Sequence, residues 1–175
     1  MTMSILIVCE SEFGNTRAVA DAIAEGLLQD HHGSMGVAVR VVRVEEAPHR
    51  IPDDVTSLLV GGPTHAFSMT RPQTRQDAVK QGAPAAHAQV GIREWISDVE
   101  PRADLPVYTY DTRVHVKLIP GSAAKKAAEA LRQRGFGKAQ RGRTFWVEGT
   151  PGPLGEGELE RARSWGAELA DQLEW

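Results

Sequence analysis

Ser4-Ile5-Leu6-Ile7-Val8-Cys9-Glu10-Ser11-Glu12-Phe13-Gly14-Asn15-Thr16 decides how this chain is read. Its first half, Ser4 to Cys9, is a short and almost uninterrupted apolar run. Such a run suits a parallel strand covered on both faces. Its second half is a polar loop containing one glycine. The loop opens onto Ala18 to Gln29, where Val19, Ala22, Ile23, Gly26 and Leu27 recur at the spacing of one helix face. Strand, loop and helix in this order place backbone N–H groups and a helix dipole at the carboxyl end of the strand. That geometry favours a bound phosphate. Gly14 lets the backbone approach closely, and Ser11 and Thr16 add hydroxyl groups. No lysine follows the glycine, so the loop is not a triphosphate P-loop, and it is not G-x-G-x-x-G.

Outward from this unit the alternation continues. Val37 to Val44 is β-branched and reads as a second strand. Val55 to Val60 reads as a third, followed at once by Gly61-Gly62-Pro63. Arg75 to Lys80 and Gly91 to Val99 read as short helical pieces. Leu105 to Tyr110 is a fourth strand, and Ser122 to Arg134 is a helix stopped by Gly135. Arg143 to Val147 is a fifth strand, and Leu154 to Leu173 a last helix with Leu159, Ala162, Gly166, Leu169, Ala170 and Leu173 on one face. Strands that alternate with helices predict an α/β fold with a doubly wound five-stranded parallel sheet between two helical layers. Ligands in such folds bind beyond the carboxyl ends of the strands, where strand order reverses.

The length, 175 residues, predicts one domain over residues 1–175. Charged residues make up 25% and the net charge is -3, which speaks against a nucleic-acid partner. No apolar run approaches the roughly 20 residues of a membrane span. The start Met1-Thr2-Met3-Ser4 lacks a basic n-region, so a cytoplasmic location is expected. The one cysteine, Cys9, lies in an apolar run and is expected to be a buried, inert thiol. No Cys/His cluster has zinc spacing, and no metal is expected. His31-His32 are expected in a solvated loop, and Trp146 and Trp165 in the core. Trp175 is open between exposure and a dimer contact.

Two loops carry a resemblance to the flavodoxin family. Ser11, Gly14, Asn15 and Thr16 match its phosphate motif after the first strand. Gly61-Gly62-Pro63-Thr64-His65-Ala66-Phe67 resembles its second loop, which flanks the flavin ring. Asp111-Thr112-Arg113 follows the fourth strand, where flavodoxins close over the other side of the ring. The resemblance implies strand order 2-1-3-4-5 and a non-covalent FMN. It implies cofactor contacts from Ser11, Glu12, Phe13, Gly14, Asn15 and Thr16, from Pro63, Thr64, His65, Ala66 and Phe67, and from Asp111, Thr112 and Arg113. Phe13 departs from the pattern of short-chain flavodoxins. An aromatic residue there resembles protoporphyrinogen oxidases and quinone reductases of the tryptophan-repressor-binding-protein type.

Three functions stay open on these residues. One is electron transfer with a redox partner protein. Another is an FMN-dependent oxidoreductase of the NAD(P)H:quinone or protoporphyrinogen-oxidase type, acting on a small-molecule oxidant. The last is an FMN-free binding module. Monomer and dimer are both compatible with the sequence. His65 or Phe67 is expected against the flavin ring. Arg71, Arg75, Arg113, His115 and Lys117 are expected to form a rim with Asp111 as its acid, giving the flavin a less negative potential.

Overall fold

The computed structural model describes residues 3–29, 36–115 and 121–173. The expectations for His31-His32, Lys117 and Trp175 lie outside the described residues. Five strands form one sheet in the order β2-β1-β3-β4-β5, with every neighbouring pair parallel. They are β1 (Met3–Cys9), β2 (Val37–Arg43), β3 (Ser57–Pro63), β4 (Val107–Val114) and β5 (Ala139–Val147). The helices are α1 (Asn15–Leu28), α2 (Pro72–Lys80), α3 (Ile92–Asp98), α4 (Ala123–Arg134) and α5 (Glu158–Gln172).

The period-two rule divides β1 between two cores. Leu6 and Val8 join Leu58, Val60 and Val107 beneath α3 and α4, where Trp95, Ile96, Ala127 and Leu131 close the layer. Ile5, Ile7 and Cys9 join Leu59, Tyr110 and Phe145 on the opposite face, beneath α1 and α5. The expected face of α1 is the one that is buried: Val19, Ala22, Ile23, Gly26 and Leu27. Cys9 is fully buried, and that burial pushes its thiol up to about 11. No helix among the described residues is long and apolar enough to cross a membrane.

Several boundaries differ from the sequence reading. β3 runs on through Gly61, Gly62 and Pro63, and β4 through Asp111 to Val114. A parallel ladder is made by backbone groups, so it continues where the apolar side chains stop. β5 begins at Ala139, ahead of the expected Arg143. The reason is a bulge, in which Thr109 pairs Arg141 and Tyr110 pairs Arg143. Gly142 sits in that bulge, where a side chain would strike the Trp165 ring and the Thr109 carbonyl. The last helix begins at Glu158, not Leu154, and Leu159 is exposed on it. Trp165 is buried as expected, whereas Trp146 is only half-buried. The Trp146 ring lies 4.5 Å from that of His115, and the Arg113 guanidinium is 5.9 Å from its centroid.

Candidate functional site

A cleft opens at the carboxyl ends of β1, β3 and β4, where the strand order reverses between β1 and β3. Its floor is the loop between β1 and α1. Gly14 takes φ 94°, a left-handed conformation natural to glycine, and turns the chain into the helix. The buried Ser11 hydroxyl fixes that turn. Its Oγ accepts the N–H groups of Gly14 at 3.1 Å and Arg17 at 3.2 Å. This is why α1 starts at Asn15, three residues before the expected Ala18. Among the described residues, the N–H groups of Phe13, Asn15 and Thr16 have no acceptor. They stand at the positive end of a helix of 14 residues.

The walls come from four other segments. Pro63, Thr64, His65 and Ala66 line the cleft after β3, and Thr112, Arg113 and Val114 line it from β4. The Thr16 and Thr112 hydroxyls meet at 2.8 Å, which locks the floor to the β4 wall. Arg113 also donates to the Gly121 carbonyl at 2.7 Å. Burial holds the His65 imidazole below its usual pKa; Glu10 opposes that shift and Arg75 adds to it.

Not every expected residue reaches the cleft. Asp111 is a fully buried strand residue beneath it. Its Oδ2 accepts the Thr64 hydroxyl at 2.9 Å and the Ala124 N–H at 3.1 Å, and Thr64 Oγ1 in turn accepts the Ala123 N–H. Asp111 therefore holds Thr64 and the start of α4 in place. Phe67 neither lines the cleft nor folds into the core. It is 52% exposed, and Ala66 and Phe67 are consecutive positive-φ residues that turn its side chain outward. Arg75 is no rim cation: it is buried, paired with Glu94 at 2.5 Å and bonded to Thr70 at 2.9 Å.

The sequence reading missed one wall altogether. Thr74, Asp77, Ala78 and Gln81 line the cleft along α2 and just beyond its end. Asp77 places an acid where a basic rim was expected. The spacing 74, 77, 78, 81 is that of one helix face, and this signal was present in the sequence. Val147 and Thr150 add the wall next to β5. Asn15 packs on that loop, against Gly152.

Glu12 belongs to the floor, yet its carboxyl is turned into the protein. The residue is 2% exposed, and neither carboxyl oxygen has a hydrogen-bond partner. Burial first, then the neighbouring Glu10 carboxyl, pushes its pKa up to about 10. Among the described residues no group of His, Cys, Asp and Glu could hold a metal ion.

Comparison with solved structures places the fold. A flavodoxin from the domain Archaea superposes with a TM-score of 0.62 at 17% identity, covering 98% of this chain and 99% of that one. Flavodoxin 2 from Bacillus cereus gives 0.57 at 17% identity, with 97% and 99% covered. A WrbA-like flavodoxin from Agrobacterium tumefaciens gives 0.51 at 15% identity, with 98% and 99% covered. No family model and no curated protein matches the sequence. The chain has the flavodoxin-like α/β fold.

Proposed function

We propose that the cleft holds FMN non-covalently and that the protein works in electron transfer. The observation that carries this reading is the set of unpartnered N–H groups of Phe13, Asn15 and Thr16 at the start of α1, opening onto the cleft. Three donors without partners, at and just before a helix N-terminus, suit a phosphate. Gly14 supports the fit, because its left-handed φ leaves the approach to those donors free of a side chain.

Bound flavin would supply the capacity to take up and pass on electrons. The residues of this chain would do the rest. Phe13, Asn15 and Thr16 would bind the phosphate, with the Thr16 hydroxyl held by Thr112. Pro63 to Ala66 and Thr112 to Val114 would form the two walls and limit water access. Thr64, fixed by Asp111, would keep the β3 wall in register with β4. A redox partner protein would meet the protein at this open end of the sheet.

One observation favours the reading as an FMN-dependent oxidoreductase. The α2 wall gives the cleft extra polar groups, Thr74, Asp77 and Gln81, facing Phe13 and His65. Rapid mixing of the FMN-loaded protein with NADPH separates the two. Direct bleaching of the flavin marks an oxidoreductase, and no bleaching marks a carrier.

The test of the cofactor itself is the visible absorption spectrum after FMN is added in excess and removed by desalting. Retention of about one FMN per chain, lost in Gly14→Asp, supports the reading. A colourless wild-type protein refutes it.

A further inference from the structure

A carboxyl group in the middle of an anion-binding loop needs explaining, because an ionised Glu12 would repel the phosphate that the loop is built to hold. The structure resolves this by burying the Glu12 carboxyl beside a second carboxyl and leaving both of its oxygens without a hydrogen-bond partner. The adjacent Glu10 carboxyl is served instead: Oε2 accepts the Thr70 hydroxyl at 2.6 Å and Oε1 the Ile92 N–H at 2.8 Å. Arg75 directs its two terminal nitrogens to Glu94 and Thr70, and its charge is outweighed at Glu12 by burial and by the Glu10 carboxyl. A buried carboxylate without a hydrogen-bond donor, beside a second carboxyl, is strongly disfavoured. The uncharged acid is the form that fits.

We propose that Glu12 is a positioning residue whose proton gates the loop: residues 11–16 accept a phosphate only while the Glu12 carboxyl is uncharged. This rests on the reading of that loop as the phosphate cradle. The other charged groups around it are Arg43 of β2, which donates to the Ser11 carbonyl at 2.6 Å and pairs with Glu45. Arg17 of α1 pairs with Asp21. Arg75 and Asp77 stand on α2, Glu94 on α3, and His65 follows β3. Cys9 at the end of β1 has its thiol pushed up to about 11. All of these are shared by the wild type and a Glu12→Gln variant, so the difference between the two reports Glu12 alone.

The probe is inorganic phosphate, followed by phosphorus NMR of the FMN-free protein from about pH 8 to about pH 11, where the probe is already a dianion and Glu12 loses its proton. The wild type is expected to weaken by at least about tenfold across this range, the effect of one added like charge at a few ångströms. Glu12→Gln, which keeps a neutral polar head of the same size, is expected to stay within about twofold of its own lower-pH affinity throughout. Identical profiles for the two proteins overturn the proposal, as does a loop that takes no phosphate at any pH. If the variant does not fold, the carbon NMR resonance of the wild-type Glu12 carboxyl decides. It must lie at the protonated position at about pH 8, and an ionised position there overturns the proposal. A protein that binds phosphate with this profile yet takes up no FMN refutes the flavin reading while the proton gate stands, so the two failures are distinct.

Discussion

The hydroxyl groups of Thr16 and Thr112 meet at 2.8 Å across 96 positions of sequence, joining the start of α1 to the ligand end of β4. Both residues are buried, at 2% and 3% exposure, and both line the cleft. One contact thus sets the distance between the floor and a wall. Thr16→Val removes the hydroxyl and keeps the shape. It is expected to cost about 1 kcal/mol of stability, the net worth of a buried hydrogen bond. It should also weaken FMN binding by more than Thr112→Val does, because the hydroxyl it removes belongs to the phosphate loop itself. Urea unfolding and fluorescence titration check the two effects.

Asp111 offers a second test. Its Oδ2 collects the Thr64 hydroxyl and the Ala124 N–H, and its Oδ1 has no partner. Asp111→Ala leaves both donors buried without an acceptor. A loss of about 2–3 kcal/mol is expected from urea unfolding, together with weaker FMN binding through a loosened Thr64. An unchanged unfolding midpoint would show that the β4–α4 junction does not depend on this carboxyl.

Glu12 makes stability depend on pH in a direction that can be worked out. Its folded pKa, about 10, lies above the ordinary 4.5. Between these values the folded state binds the proton and the unfolded state does not. Stability is therefore fully present at acid pH and falls as pH rises through this window. Glu12→Gln removes the titrating group. The variant is expected to be more stable than wild type at neutral pH by at least about 1 kcal/mol, and to lose that advantage toward pH 4. Unfolding free energies measured across this range check the slope. Parallel profiles for the two proteins would contradict a neutral Glu12.

The helices α1 and α5 touch through glycine. A Cβ on Gly26 would collide with the Arg163 carbonyl oxygen, and one on Gly166 with the Ile23 carbonyl oxygen. Both obstacles are backbone, which cannot rotate away. Gly166→Ala is expected to force the helices apart and to cost about 1–3 kcal/mol, outweighing the gain in helix propensity. Thermal unfolding checks this, and a variant more stable than wild type would contradict the close approach.

The sequence carried the alternation of strands and helices and the loop after β1 because both depend on local patterns, while the strand order was implied by the family resemblance. β1 is a continuous apolar run, and α1 shows its buried face by spacing alone. The loop between them announces itself through Gly14 and Ser11. What was not legible depends on tertiary partners. Asp111 looks like a loop residue because it is an acid, yet it is a buried strand residue whose acceptor capacity is used by Thr64 and Ala124. Trp146 looks like core by its size, yet it stacks with His115 at the edge of the sheet. The α2 wall was announced only by the helix-face spacing of residues 74, 77, 78 and 81, which is easily passed over because those residues are mostly polar. Pro72 at the first helical turn, with the Thr74 hydroxyl accepting the Arg71 N–H at 2.9 Å, marked its true start. The outward turn of Phe67 comes from two consecutive left-handed residues that no side-chain pattern announces.

The central claim is that residues 11–16 hold the phosphate of FMN. Comparing FMN with riboflavin, which has the same ring and ribityl chain and no phosphate, tests it most directly. Titrated at neutral pH, FMN is expected to bind at least about 100-fold more tightly, the worth of two charge-assisted hydrogen bonds from the loop. Equal affinities for the two flavins would contradict the account, since the loop would then contribute nothing to binding.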